Sequence, residues 1–274
     1  MEGVGNEEIS TLQPFLKWAG GKRWFVSAYS HLLPSAFERY VEPFLGSGAV
    51  FFHLQPRCAL LSDVNQDLVD TYRAIQSDWV GVQKKLKRHQ LRHSDDYYYL
   101  TRSSRPRLLH TRAARFLYLN RTCWNGLYRV NRRGDFNVPR GTKDSVLQIA
   151  DDFLAWSSAL SVAKLQCGDF QLAIDDAGEG DFVFCDPPYT VSHNNNGFLK
   201  YNQKIFSWAD QIRLRDSLVR LSGRGGFFVV TNAMHDSVRR LYADFNQFEL
   251  RRSSVISGDA KGRRKTTELL VRNF

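Results

Sequence analysis

The four residues Phe182–Cys185 run directly into Asp186-Pro187-Pro188-Tyr189. A short continuous apolar run bounded by turn residues reads as a strand buried on both faces. Proline has no N–H to give a ladder and holds φ fixed, so the two prolines end the strand and stiffen the turn behind it. A strand with both faces covered needs helices on either side, and the chain supplies them. Phe37–Phe44 ends in a short apolar strand, and Cys58–Asp63, Lys164–Cys167 and Phe227–Thr231 read as further strands. Between them, Ala49–Leu54, Asp67–Gln76, Asp152–Val162, Trp208–Leu221 and His235–Asp244 read as helices. This alternation predicts an α/β fold with a mostly parallel sheet. Phe248–Ile256 and Thr266–Arg272 read as a closing antiparallel hairpin around a basic loop, and 194–197 as a polar loop tip. From Val80 to Asn120 the pattern turns to successive helices, the last at Ala113–Asn120. A segment punctuated by Gly126, Gly134 and Gly141 follows and reads as a β-hairpin or loop. Residues 64–148 thus form an inserted helical domain, and 1–63 with 149–274 form the scaffold, residues 1–13 being a loose leader.

Composition narrows the class. With 43% hydrophobic residues the chain supports a sizeable core and is not a disordered tail. No apolar run approaches the roughly 18 residues of a membrane span. The acidic, polar start is not a secretory signal. Cys58, Cys123, Cys167 and Cys185 are not paired at metal-ligand spacing, which predicts a reduced cytoplasmic chain with no metal site. The formal charge of +10 is unevenly spread. Lys84 to Arg140 carries fifteen Lys/Arg against three acids, a net +12, and residues 251–274 carry +5, so the remainder is −7. Tyr97, Tyr98, Tyr99, Phe116, Tyr118, Trp124 and Tyr128 lie within the first basic zone. Basic residues interleaved with aromatics suit phosphate neutralisation combined with base stacking.

Three motifs carry chemistry. In Glu42-Pro43-Phe44-Leu45-Gly46-Ser47-Gly48 a strand, a Gly-x-Gly turn and a helix form a nucleotide-type turn, where glycine lets backbone approach a ligand closely. The full dinucleotide fingerprint fails, because Phe51 stands where a third small residue belongs, and no Gly-Lys-Ser/Thr follows to make a phosphate loop. Asp63 ends the next strand, where a carboxylate can accept ribose hydroxyls; its alternative role is to cap the helix that follows. Asp186-Pro187-Pro188-Tyr189 presents a carboxylate, backbone carbonyls and one ring at the sheet's carboxyl edge, which suits a planar amine. Phe15-Leu16-Lys17-Trp18-Ala19-Gly20-Gly21-Lys22 is a cationic glycine loop with an indole beside it, or, taken alone, a helix start with snorkelling lysines.

Taken in order, FLKWAGGK, VEPFLGSGAVF, SDVN, GDF and DPPY resemble the Dam-type (class alpha, D12) site-specific DNA adenine-N6 methyltransferases. The likeness extends through Leu117–Pro139, FLKYNQKIFSWADQ and the C-terminal hairpin, and covers nearly the whole chain beyond residue 13. It implies a Rossmann-like methyltransferase sheet with an inserted DNA-recognition domain that carries a β-hairpin. It implies S-adenosylmethionine as methyl donor, double-stranded DNA as partner, GATC as target, and a monomer. Trp18, Lys22, Glu42, Phe44, Gly46, Gly48, Asp63, Asp169, Phe170 and Asp186 would line the cofactor pocket, with Asp169 alternatively only a helix cap. Asp186, Pro187 and Tyr189 would hold a flipped-out adenine. Lys17, Trp124, Asn125, Leu127, Arg129 and Pro139 would contact the target site, Trp124 standing where close relatives have tyrosine. Arg115, Arg121, Arg132, Arg133, Arg140, Lys261, Arg263, Arg264 and Lys265 would track phosphates. Two alternatives stay open on the residues alone: another exocyclic amine, such as cytosine N4 or an RNA adenine, or a DNA-binding protein without catalysis.

Overall fold

A computed structural model describes residues 12–131, 133–190, 206–253 and 265–274. Arg132, Lys261, Arg263, Arg264, the loop tip at 194–197, most of the leader and the loop of the C-terminal hairpin lie outside the described residues, as does the side chain of Lys265.

Seven strands form one sheet: β1 (Tyr40–Glu42), β2 (Ala59–Asp63), β3 (Ala163–Cys167), β4 (Phe182–Cys185), β5 (Phe227–Ala233), β6 (Asn246–Ser253) and β7 (Lys265–Arg272). Their spatial order is β3-β2-β1-β4-β5-β7-β6. The first five are parallel to one another, whereas β7 pairs antiparallel with both β5 and β6. This is the expected Rossmann-like sheet with a C-terminal antiparallel hairpin. Strand order reverses between β1 and β4, and the crevice at such a switch point is where open α/β sheets bind ligands.

Nine helices are described: α1 (Arg23–Tyr29), α2 (Ala49–Leu54), α3 (Gln66–Arg92), α4 (Asp95–Ser103), α5 (Leu109–Thr122), α6 (Phe153–Leu160), α7 (Phe170–Asp175), α8 (Trp208–Gly223) and α9 (Asp236–Leu241). Successive strand residues point to opposite faces, and β4 shows the consequence. Phe182 and Phe184 enter a core with Phe25 of α1, Phe51 and Phe52 of α2 and Tyr72 of α3. Val183 and Cys185 enter a second core with Ile174 of α7, Leu214 and Leu218 of α8 and Val238 of α9. Sequence reading found α2 and β4 with their observed bounds. α1, a seven-residue helix that buries only Phe25 and so shows no period, starts directly after Lys22, where a helix start was the alternative reading of the glycine loop.

α3 crosses the expected domain border. Asn65 caps it by accepting the Leu68 N–H at 3.2 Å, and its first turns bury Leu68, Tyr72 and Ile75 against the sheet layer. It bends at Asp78 (φ −150°, ψ 55°) and continues to Arg92, packing along α5. The first core is continuous from Phe182 in the sheet to Leu86, Tyr98 and Tyr118 in the insertion.

After α5, where a β-hairpin or loop was expected, a short antiparallel hairpin forms: the Asn131 N–H donates to the Asp135 carbonyl at 2.8 Å and the Asn137 N–H to the Arg129 carbonyl at 3.1 Å. Among the described residues only two isolated antiparallel bridges occur there, Cys123 with Arg140 and Val130 with Phe136, and they do not share one register. Asn125 and Gly126 adopt left-handed conformations between them, at φ 54° and 65°. Those turns interrupt the pairing that a regular ladder requires.

Candidate active site

The motifs found in the sequence converge on one edge of the sheet. Glu42, Asp63, Cys167 and Cys185 end their parallel strands side by side, and the segments behind them carry Gly46, Gly48, Asp169 and Asp186. The glycine turn needs its glycines twice over. Gly46 and Gly48 sit at φ 47° and 63°, a region that L side chains avoid. A Cβ on Gly46 would lie 2.8 Å from Trp18 Cδ1, and one on Gly48 would lie 3.0 Å from the Tyr72 hydroxyl. The turn is held from both sides: Tyr72 donates to the Gly46 carbonyl at 3.1 Å, and the Gly46 N–H donates to Asp63 Oδ2 at 3.1 Å. Asp63 Oδ1 accepts the Asn65 N–H at 2.9 Å. The helix cap is therefore Asn65, and Asp63 instead joins β2 to the glycine turn. Burial pushes its carboxyl up, against the pull of these amides. Glu42 lies behind the turn, where burial, with Asp186 and Asp63 nearby, pushes its carboxyl well above the usual range.

Asp186 is the electrostatic centre. Lys22, only 4% exposed, places Nζ 2.7 Å from Asp186 Oδ1 and 3.4 Å from Glu268 Oε2, and also donates to the Gly20 carbonyl at 3.1 Å. Thr231 Oγ1 donates to the same Asp186 Oδ1 at 2.8 Å. Both partners of Asp186 among the described residues thus address one oxygen. Burial drives the Lys22 ammonium down, but the two carboxylates outweigh it and leave it above the ordinary lysine value. Burial raises the Asp186 carboxyl, and Lys22 and Thr231 oppose that rise. The Tyr189 ring lies 5.8 Å from Lys22 Nζ, and Pro187 is buried between Asp186 and Tyr189. Lys22, expected in the cofactor pocket, therefore joins the first motif directly to the Asp-Pro-Pro-Tyr turn.

An aromatic wall stands across the glycine turn. Phe44 stacks on Phe170 at 5.3 Å, and the Arg213 guanidinium lies 4.3 Å from the Phe170 centroid. Asp169 caps α7 through the Gln171 N–H at 2.9 Å and receives the Arg213 fork at 2.7 and 2.8 Å. The capping alternative for Asp169 is what this geometry displays. Trp18 stacks at 5.5 Å on Tyr128, so one indole touches both the glycine turn and the loop after α5.

The loop after α5 presents a different surface. Trp124, Asn125, Arg129, Arg133 and Pro139 are exposed, Trp124 by 52%. Leu127 is half-buried. Arg129 Nε donates to Asn137 Oδ1 at 2.8 Å, and the Trp124 N–H to the Pro139 carbonyl at 2.9 Å. Lys17 is half-buried against this loop, and burial with Lys143 nearby lowers its ammonium to about 8.

Two expected phosphate contacts are corrected. Arg121 is 3% exposed. Its fork grips Asp151 at 2.6 and 2.8 Å and also donates to the Val146 and Phe15 carbonyls. A guanidinium so spent stitches the core. Arg115 donates to the Thr101 and Arg102 carbonyls and closes the end of α4 onto α5. Arg140 bridges Asp95, at 2.8 Å, and Asp144, so its charge is locally compensated. Sequence reading missed Thr231, Glu268, Arg213 and Asn120. Asn120 accepts the Lys17 N–H at 3.0 Å and donates to the Lys17 carbonyl at 2.7 Å, across 103 residues of chain. A polar residue inside an apolar strand was the available signal for Thr231 and Glu268. Nothing local marked Asn120 or Arg213.

The comparisons with known proteins agree with this geometry. A family model described as D12 class N6 adenine-specific DNA methyltransferase matches residues 18–256. The chain is 35% identical over 276 residues to the Type II methyltransferase M1.LlaDCHI of Lactococcus lactis subsp. cremoris, covering 96% of each protein. It is 33% identical to the Type II methyltransferase M.MjaIII of Methanocaldococcus jannaschii, covering 96% of this chain and 99% of that one. It is also 33% identical to a DNA adenine methylase of Serratia marcescens, covering 94% and 97%. With an Asp-Pro-Pro-Tyr turn at the switch point of a Rossmann-like sheet and a match across nearly its whole length, the chain belongs to the D12 class of N6 adenine-specific DNA methyltransferases.

Proposed function

We propose that this methyltransferase takes its methyl group from S-adenosylmethionine and delivers it to N6 of an adenine flipped out of double-stranded DNA, at GATC. The observation that carries the reading is Asp186, held through one oxygen beside the glycine turn at the sheet's switch point. The residues present suit a nucleoside that bears a cation. Gly46 and Gly48 bring bare backbone to the edge of the site, where Trp18 and Tyr72 leave no room for a Cβ. Asp63 has acceptor capacity beyond its two amides, as ribose hydroxyls require. Phe44 and Phe170 supply an apolar wall for a purine, with Asp169 at its edge, while Trp18, Lys22 and Glu42 close the pocket. S-adenosylmethionine, when bound, supplies an electrophilic sulfonium methyl.

The chain's own part is positioning and electrostatics. The exocyclic amine of adenine is a poor nucleophile because its lone pair is delocalised into the ring. Asp186 and the Pro187 carbonyl accept its two N–H groups and favour the tetrahedral nitrogen. Tyr189 stacks on the base and offsets part of the few kcal/mol that flipping costs. Residues 64–148 act as the target-recognition unit on the scaffold of 1–63 and 149–274. Arg129 reads guanine, Trp124 and Asn125 wedge beside the target, Leu127, Pro139 and Lys17 complete the site contacts, and Arg133 neutralises phosphate. The chain acts as a monomer.

The test is methylation of unmethylated duplex with labelled cofactor, followed by digestion and separation of nucleosides. Label in N6-methyladenine, mapped to GATC by single-molecule sequencing, is the expected result. Label in N4-methylcytosine refutes the base assignment, and methylation at another site refutes GATC alone.

A further inference from the structure

Thr231 and Glu268 have no part in the roles assigned above, yet they meet at Asp186 on adjacent strands. Val230 of β5 stands opposite Cys185 of β4, so the next residue, Thr231, faces Asp186. On β7, Leu270 stands opposite Thr231, and Glu268 stands opposite Ala233 at the end of β5. Three neighbouring strands thus deliver the Asp186 carboxylate, the Thr231 hydroxyl and the Glu268 carboxylate to one point, and Lys22 enters from the first motif. Thr231 is wholly buried and Glu268 is 3% exposed. Arg252 approaches Glu268 from the far side at 3.7 Å.

We infer that Thr231, Lys22 and Glu268 are a positioning set, which anchors Asp186 through Oδ1 and leaves Oδ2 to accept the target amine. The inference rests on Asp186 accepting that amine. A carboxylate with one donor turns freely about its terminal torsion, which is broad. A second donor on the same oxygen, carried by a strand, sets its plane. Thr231 supplies that donor, because lysine alone, on a flexible four-carbon stem, is an adaptable partner. Glu268 has a separate task. An ammonium facing one carboxylate would settle over both of its oxygens and compete with the incoming amine. Glu268, at 3.4 Å, draws Lys22 to the Oδ1 side and shares its charge. The set sits on rigid elements, as a constellation that must hold its geometry to a fraction of an ångström requires.

The experiment compares Thr231→Val, Thr231→Ser, Glu268→Gln and Asp186→Ala in the full-length enzyme. Single-turnover methyl transfer is measured together with cofactor and DNA dissociation constants. Thr231→Val, which keeps the shape and removes the donor, is expected to slow transfer by about ten- to a hundredfold with both dissociation constants within about twofold. Thr231→Ser restores the donor and is expected to recover most of the rate. Glu268→Gln is expected to slow transfer in the same way. If Asp186→Ala is inactive while Thr231→Val and Glu268→Gln transfer at the parent rate, the positioning set is wrong and the role of Asp186 stands. A rate loss shared equally by Thr231→Ser and Thr231→Val also overturns it, because the donor is then not what matters. Turnover retained by Asp186→Ala refutes the reading of Asp186 itself, and the inference with it.

Discussion

The carboxyl edge of the sheet and the loop from Cys123 to Gly141 handle charge in opposite ways. At the edge, Lys22, Asp186 and Glu268 are nearly or largely buried, and each charge has a partner within 4 Å. In the loop, Arg129 and Arg133 are exposed, and the backbone is shaped by left-handed turns and two bridges. Strand ends fix a carboxylate to a fraction of an ångström, which chemistry needs. An exposed loop keeps its cations solvated and ready for a polyanion, which binding needs. The two regions are bolted together at two points: Trp18 stacks on Tyr128, and Asn120 binds the Lys17 backbone and donates to the Gly126 carbonyl at 3.4 Å. The lesson is that a basic residue in the insertion belongs to one regime or the other by its burial, and its sign does not tell which.

Three substitutions press on that contrast. The largest effect is expected from Arg121→Ala, which strands Asp151 in the core. Removing one partner of a buried pair costs about 3–5 kcal/mol, read as a lowered unfolding midpoint in denaturant, with sequence preference in the residual folded enzyme unchanged. A stable variant with weakened DNA binding would instead return Arg121 to the phosphate contacts. Next is Arg129→Ala. An arginine that reads guanine carries about 1–3 kcal/mol of discrimination, so transfer at near-cognate sites should gain on transfer at the preferred site while stability stays put. A uniform loss of affinity with preference intact would make Arg129 a phosphate contact. The smallest effect is expected from Arg133→Ala, which should weaken DNA binding evenly across sequences. It should also lower the slope of log affinity against log salt by about one. In the parent, DNA affinity should fall steeply with salt while cofactor affinity barely responds. Matching salt slopes for the two ligands would erase the division between edge and loop.

How much was readable in advance follows the same division. β4 and its Asp-Pro-Pro-Tyr stop were legible because a buried strand and the prolines that end it are local facts. The glycine turn was legible for the same reason, since Gly-x-Gly between a strand and a helix is a local pattern, whereas the positive φ of Gly46 and Gly48 is seen only in the fold. The segment after α5 was half legible: its glycines announced turns and a hairpin or loop, but the place of the short pairing at Val130 and Phe136 depends on a register that the turn at Asn125-Gly126 shifts. The helix read at Asp67–Gln76 and the helices read from Val80 onward meet at the bend at Asp78, so α3 was legible as two pieces, and only its continuity across the bend was not.

Taken alone, the order of residues determined an α/β scaffold, the placing of its chemistry at strand ends, a basic insertion and the family. The first three are consequences of short-range sterics, periodicity and charge count; the family rests on the likeness of motifs in order. Only the tertiary structure decided which groups meet. Lys22 pairs with Asp186 across 164 positions of numbering and with Glu268 still farther on. Arg121 turns inward to Asp151 whereas Arg129 turns outward. A side chain's charge is written in its residue type, but its solvation and its partner are set by what the fold packs around it. In a buried, low-dielectric site those two decide whether a charge stitches the core, positions a carboxylate or waits for DNA.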